Sequence, residues 1–263
     1  MNLHHWPHLY LFLFSHMRSY STVLSHVLGS HPEISGYVET HLKYRSRLDL
    51  VRLRWQVAFA TGALPTGRYL LDKLLHNFML IPKQLRDSPR LRSLIFVRSP
   101  EPTLRSILQL SAIRPSITWY ADQERVAEYY CARLAWLAAV GAHLRSRAFV
   151  FPAEAMIEDS DAVLLHITSH LELSTPLRPQ YRIRKLSGQP GYGDVSANIR
   201  AGSIRRETSS DVAAHLATPL DPALLQRCDR AYRACMMTLT DWCPSLPQRE
   251  QLPTEQATES LVA

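Results

Sequence analysis

The 263-residue sequence is poor in glycine: it has nine, and four of them fall between Gly188 and Gly202. It has no stretch near the roughly twenty apolar residues that a membrane helix needs, so membrane insertion is not expected. The apolar run Leu9–Phe14 has six residues and no small-residue cleavage site follows it, which argues against a secretory signal. Its four cysteines, Cys131, Cys228, Cys235 and Cys243, form no C-x-x-C pair, which speaks against a thiolate zinc site. Cys228 and Cys235 share one face of a helical pattern and read as packing, as in a reduced, cytoplasmic protein. There is no internal repeat, and no metal is expected. Basic tails are lacking too. The net charge of +7 is spread along the chain, which favours a small anionic ligand over nucleic acid.

What is present is an alternation. Strand patterns at 9–15, 34–38, 68–72, 91–97 and 148–151 alternate with helical patterns at 21–30, 42–60, 102–110, 122–145 and 160–171, and a last helix is expected over 222–242. Such alternation predicts an α/β three-layer sandwich, a central parallel sheet of about five strands flanked by helices. Ligands of these sheets bind beyond the carboxyl ends of the strands. The spacing predicts one domain over 1–243 and a disordered tail over 244–263.

The first strand runs into the polar cluster "HMRSYST" and then a helix. A helix N-terminus offers free N–H groups and the positive end of the helix dipole. Arg18 adds a guanidinium, and Ser19, Ser21 and Thr22 add hydroxyls, so an anion site is expected there. The cluster has no Gly-Lys-[Ser/Thr], hence no nucleotide-triphosphate loop of the usual kind, and Tyr20 stands where a small residue is common. The bland alternative is a capping serine with a surface arginine. Further on, "LRSLIFVRSPEPTLRSILQL" ends a strand at Arg98 and carries Ser106 in the helix that follows, expected in its first turn. A strand-end arginine and such a serine can converge on one anion.

Together these two stretches resemble the sulfotransferases that use 3′-phosphoadenosine-5′-phosphosulfate. That family has a P-loop-like fold. Its first strand–loop–helix, often Pro, Arg or Lys, Ser, Gly and two hydroxyl residues, binds the 5′-phosphosulfate. Arg18, Ser19, Tyr20, Ser21 and Thr22 occupy that place, with Met17 for the proline and Tyr20 for the glycine. The family's second motif, an arginine and a serine eight residues later, binds the 3′-phosphate and is matched by Arg98 and Ser106. The stretch "FVFPAEAMIEDSDAVLLHITSHLELSTPL" resembles the family's next strand, acidic residue and helix. "GQPGYGD", with Gly191, Tyr192 and Gly193, resembles a loop that closes over the nucleotide in tyrosylprotein-type members, although Tyr192 equally suits a loop anchor. The resemblance covers about Leu9 to Ile204.

It implies sulfuryl transfer from that nucleotide, as co-substrate, to an acceptor of unidentified class, without a metal. In related members a glutamate soon after the second strand is the base, and Glu39 in "GYVETH" matches it. His41 is the alternative base, and a helix-capping role is the other reading of Glu39. Lys73, from "YLLDKLLHN", matches a lysine near the leaving group, unless it pairs with Asp72 on the surface. Arg18 would contact the same sulfuryl group. Lys43, Arg45, Arg47, Arg52 and Arg54 line either an acceptor cleft or a solvated helix face, and Trp119 and Tyr120 either border that cleft or pack. A homodimer is compatible with the sequence. The competing readings are a P-loop-like kinase using ATP and magnesium, and a non-catalytic nucleotide-binding module.

Overall fold

In a computed structural model, which describes residues 8–189, 197–205 and 219–247, the apolar runs form a parallel sheet. Its strands are β1 (Leu9–Phe14), β2 (Ile34–Ser35), β3 (Tyr69–Leu74), β4 (Leu91–Val97) and β5 (Ala148–Pro152). Their order is β2-β3-β1-β4-β5. All four pairings are parallel, so β1 is central and the chain departs from it first to one side and then to the other. In open parallel sheets such a switch opens a crevice at the carboxyl ends of the strands.

The strands are buried on both faces, and their side chains alternate between two cores. Tyr10, Phe12 and Phe14 point into one core and Leu11 and Leu13 into the other. The first core is closed by α2 (Asp49–Thr61), α4 (Pro100–Leu108), α6 (Gln123–Leu144) and α9 (Pro222–Trp242). The second is closed by α1 (Ser21–Leu28) and α8 (Ser160–His170). Three short helices, α3 (Lys83–Arg86), α5 (Leu110–Ile113) and α7 (Ala155–Glu158), complete the connections. Aspartates cap three helix starts: Asp122, Asp159 and Asp221 accept from backbone N–H groups of α6, α8 and α9, and Pro222 takes the position where its missing N–H costs nothing. Cys228 and Cys235 are buried where α9 packs on α6, with the Cys228 sulfur 3.7 Å from that of Cys131. No described helix is long and apolar enough to cross a membrane.

Four expectations need correction. The second strand stops at Ser35 because Gly36 turns the chain with φ +114°, and a Cβ there would lie 2.6 Å from the Leu71 carbonyl. Residues 42–48 are not helical. Tyr44 is drawn into the core and donates to Asp72 at 2.7 Å, and Asp49 Oδ2 collects the N–H groups of Arg45 and Ser46 at 2.8 and 2.9 Å. The helix therefore begins at Asp49. The third strand extends through Lys73 to Leu74. Finally, the chain does not leave the fold at Pro244. The Val150 N–H donates to the Pro244 carbonyl at 2.9 Å, and the Leu246 N–H donates to the Val150 carbonyl at 3.3 Å. This covers the outer edge of β5, whose backbone groups would otherwise lack partners. The rest of the expected tail, 248–263, lies outside the described residues.

Candidate active site

The loop after β1 is shaped by two residues in the left-handed region, Arg18 (φ 64°) and Tyr20 (φ 62°). This conformation costs a non-glycine residue about 1–2 kcal/mol, and Tyr20 adopts it where the sulfotransferase loop commonly has glycine. The hydroxyls of the loop hold it in place: Ser15 donates to the Phe96 carbonyl at 2.5 Å and Ser19 to the His16 carbonyl at 2.7 Å. Ser21 and Thr22 are buried at the first two positions of α1. The first turn of α1 has no acidic residue and no side-chain cap, so its positive end is left for an external anion.

His16 locks this loop to β4. Its Nε2 accepts the Arg98 N–H at 3.0 Å and its Nδ1 faces the Met17 carbonyl at 2.8 Å. The pair of partners assigns the proton to Nδ1. Complete burial, with Arg98 and Arg133 nearby, pulls the imidazole pKa down to about 4, so it is neutral at physiological pH.

The two motifs meet. Arg18 Nε donates to Ser106 Oγ at 2.8 Å, and Arg98 Nη1 donates to the Arg18 carbonyl at 3.1 Å. The Arg98 guanidinium lies over the Tyr20 ring, 4.4 Å from its centroid. Tyr130 donates to the Arg98 carbonyl at 2.7 Å. Because α4 begins at Pro100, Ser106 stands in its second turn rather than its first. Glu154, the acidic residue after β5, accepts from the Ser99 N–H and hydroxyl at 2.8 and 2.5 Å and so ties down the start of α4.

A second group gathers around Lys73, which is fully buried and donates to Thr22 Oγ1 at 3.3 Å. Asp72 points the other way, as alternate residues of a strand must. It accepts from the Thr40 N–H at 3.1 Å, the Thr40 hydroxyl at 2.6 Å and the Tyr44 hydroxyl at 2.7 Å. The alternative of a surface Asp72–Lys73 pair is therefore excluded. Burial raises the Asp72 pKa to about 6 against these hydrogen bonds. Asp72 thus fixes the backbone between Glu39 and His41. Glu39 Oε1 lies 3.3 Å from His76 Nε2 and 3.7 Å from His41 Nδ1. Burial by itself raises the Glu39 pKa, but the His76 contact and the charges of Lys73, His76 and His41 outweigh it, and the carboxyl lies below its ordinary range.

No protein-family profile matches the chain, and no curated protein sequence matches it. Among solved structures it is similar to a sulfotransferase domain from the curacin biosynthetic pathway, with a TM-score of 0.56 at 14% identity over 86% of this chain and 98% of that domain. The chain has a sulfotransferase fold. At that identity the likeness is one of fold.

Within this sulfotransferase fold three residues hold the strand ends in ways the sequence reading did not anticipate. Arg133 is wholly buried in α6, where it donates to the carbonyls of Ser15 (2.7 Å), His76 (3.0 Å) and Leu74. Leu74 ends β3, and Ser15 and His76 lie just beyond the ends of β1 and β3. Burial lowers its pKa to about 10, which leaves it charged. Tyr129 accepts from the Met17 N–H at 2.9 Å and donates to the Leu75 carbonyl at 2.7 Å. His76 enters from a different strand–helix connection than Glu39. A signal for Arg133 existed: it lies one turn from Tyr130 and Leu137 on the apolar side of its helix.

Trp119 and Tyr120 pack, with Trp119 5.5 Å from Tyr129 and the Tyr120 hydroxyl 3.8 Å from the Met17 sulfur. Lys43, Arg45, Arg47 and Arg52 are exposed and Arg54 half-buried. Only 52 and 54 belong to α2. Gly191, Tyr192 and Gly193 lie outside the described residues.

Proposed function

We propose that the chain is a sulfotransferase that moves a sulfuryl group from 3′-phosphoadenosine-5′-phosphosulfate to a hydroxyl or amine of an acceptor. The observation that carries this reading is the 2.8 Å contact of Arg18 with Ser106. It joins two motifs from opposite sides of the sheet's switch point into one cationic, hydroxyl-rich cluster. The donor set suits a nucleotide with two separate anionic groups: Arg98, Ser106, Ser21, Thr22 and Lys73 are buried, and a helix N-terminus without an acid faces them.

In this reading Arg98 and Ser106 hold the 3′-phosphate, with Arg18 between them and the 5′ end. Ser19 and the loop backbone, Ser21 and Thr22 cradle the 5′-phosphosulfate. Glu39 takes the proton of the acceptor while the acceptor oxygen or nitrogen forms its bond to sulfur. The bond between sulfur and the bridging oxygen breaks, and Lys73 meets the charge left on that oxygen, so 3′,5′-adenosine bisphosphate leaves with the electron pair. Positioning and charge stabilisation supply most of such a rate enhancement. His41 is the second candidate for the base, since it faces the same carboxylate.

A screen for transfer of labelled sulfate from the nucleotide to pooled alcohols, phenols, amines and glycans tests the reading. Transfer that disappears in Arg98→Ala supports it. Binding of ATP with magnesium in preference to the sulfated nucleotide contradicts it and favours the kinase reading. Tyr20 is the one observation on the side of a non-catalytic module. That reading predicts nucleotide binding with no transfer to any acceptor.

A further inference from the structure

We propose that Cys131 is a thiol modified by hydroperoxides, with Cys228 as its partner in a reversible disulfide that ties α6 to α9. The two sulfurs lie 3.7 Å apart. A disulfide brings its sulfurs to about 2.0 Å, so the two side chains have only about 1.7 Å to close between them.

Contacts on either side of the pair fix the register of the two helices, which run parallel. Toward their starts, the Asp221 N–H donates to Gln123 Oε1 at 2.9 Å and Arg227 Nη1 pairs with Glu124 Oε1 at 2.6 Å. Toward their ends, the Cys243 sulfur faces the Gly141 carbonyl at 3.4 Å. The Cys131 and Cys228 sulfurs are thus held opposite one another before any oxidant arrives.

The four cysteines differ in access and in charge. Cys131 is half-buried, whereas Cys228, Cys235 and Cys243 are buried. The thiolate is the nucleophile. The contact with Cys228 and the Arg227 guanidinium bring the Cys131 pKa down to about 7, against burial and the Glu124 carboxylate. Arg227 Nε and Nη2 are buried with no hydrogen-bond partner among the described residues, and a sulfur anion beside them supplies one. The contact with Cys131 and burial push the Cys228 thiol up, so it keeps its proton and waits. Burial raises Cys235 to about 12 and Cys243 to about 11, which leaves both unreactive.

The chemistry balances with a hydroperoxide as the oxidant. The Cys131 sulfur attacks one peroxide oxygen: an S–O bond forms, the O–O bond breaks, and the departing oxygen takes the thiol proton as water or alcohol. The Cys228 sulfur then attacks the Cys131 sulfur. The S–S bond forms, the S–O bond breaks, and hydroxide takes the Cys228 proton as water. The thiol pair gives up two electrons and the peroxide accepts them. The link forms on the helix that holds the candidate site, since Tyr129, Tyr130 and Arg133 of α6 bond to Met17, Arg98 and Ser15. The inference does not depend on sulfuryl transfer, and the two can fail separately.

The test is treatment of the reduced full chain with one equivalent of hydrogen peroxide, followed by thiol counting and peptide mapping by mass spectrometry. Free thiols should fall from four to two, with one cross-linked peptide pair containing Cys131 and Cys228, and dithiothreitol should restore all four. Cys131→Ser should slow thiol loss about tenfold or more. Cys228→Ser should stop at a Cys131 sulfenic acid that a 1,3-diketone traps, and Cys235→Ser should behave like the unaltered chain. Circular dichroism shows that each variant is folded. Four thiols surviving the peroxide overturn the proposal, as do a link through Cys235 or Cys243, oxidation of Cys131 to the sulfinic acid without a link, and undiminished thiol loss in folded Cys131→Ser.

Discussion

The two sides of this crevice, which the proposed function assigns to the nucleotide and to the acceptor, are built differently. On the first, Arg18, Tyr20, Arg98 and Ser106 come from two short stretches, each a strand end and the helix after it. Their partners are backbone groups and each other, and His16 welds the two stretches together with a neutral imidazole. On the second, Glu39 and His41 follow β2 while Lys73 and His76 come from the end of β3 and the turn after it, and Glu39 interacts with the titratable side chains of the other three. The first side is a fixed cradle, whereas the second is a set of coupled charges. A cradle can be read from local sequence, because its geometry is that of the strand–loop–helix itself. A charge cluster assembled across connections leaves no such trace.

If the cradle is as rigid as its hydrogen bonds imply, its largest measurable signature is in stability against pH. His16 keeps a pKa near 4 in the folded chain against about 6.5 unfolded. The unfolded chain therefore binds the proton first. The stability due to neutral His16 is complete above about pH 6.5 and is lost as pH falls toward 4, about 3 kcal/mol for one buried histidine. Denaturant unfolding across this range should show the slope, and His16→Gln, which keeps a donor and an acceptor, should make it shallower. His170, also near 4, and His8, lowered by burial, leave a residual slope. An unchanged slope would mean that His16 is not the lock.

The acceptor side should respond in rate rather than in stability. Glu39→Gln should slow transfer on the order of a hundredfold, about 2.7 kcal/mol, with nucleotide affinity almost unchanged. A helix-capping role, which predicts modest destabilisation and normal turnover, is already weakened because α2 begins at Asp49. If His41→Asn abolishes transfer while Glu39→Gln keeps it, the base is His41. The contrary pattern on the nucleotide side is expected for Arg98→Ala: nucleotide binding weaker by about 1.5–3 kcal/mol, the range of a charge-assisted hydrogen bond. Calorimetry reads this directly. An effect confined to turnover would contradict the division into two sides.

Tyr20→Gly should have the smallest effect. Glycine relieves the left-handed conformation, worth about 1 kcal/mol, but removes the ring under Arg98, worth about as much. Stability should move by less than about 1 kcal/mol and nucleotide affinity should fall slightly. A large gain in affinity would instead show that the Tyr20 ring obstructs the loop.

Much of the fold could be read from the sequence, since buried parallel strands make continuous apolar runs and β4 was bounded to the residue. The errors fell where a side chain far along the chain decides the local conformation: Asp72 draws 40–44 inward, and Gly36 ends β2 against Leu71. The same holds in the site. Arg18, Arg98 and Ser106 were legible through their local motifs. Arg133 showed only as a charge on the apolar side of its helix, and His76 not at all, because it meets Glu39 only once β2 and β3 lie side by side. His16 was in plain view beside Arg18, but nothing in the sequence says that a histidine at a strand end will be buried and neutral.

The central claim is that the cradle binds a nucleotide carrying a 3′-phosphate, and comparison of 3′,5′-adenosine bisphosphate with AMP tests it most directly. Binding raises the melting temperature by mass action. The account predicts a clear rise with the bisphosphate, a much smaller one with AMP, and loss of the difference in Arg98→Ala. Equal shifts with both nucleotides in the unaltered protein would contradict it.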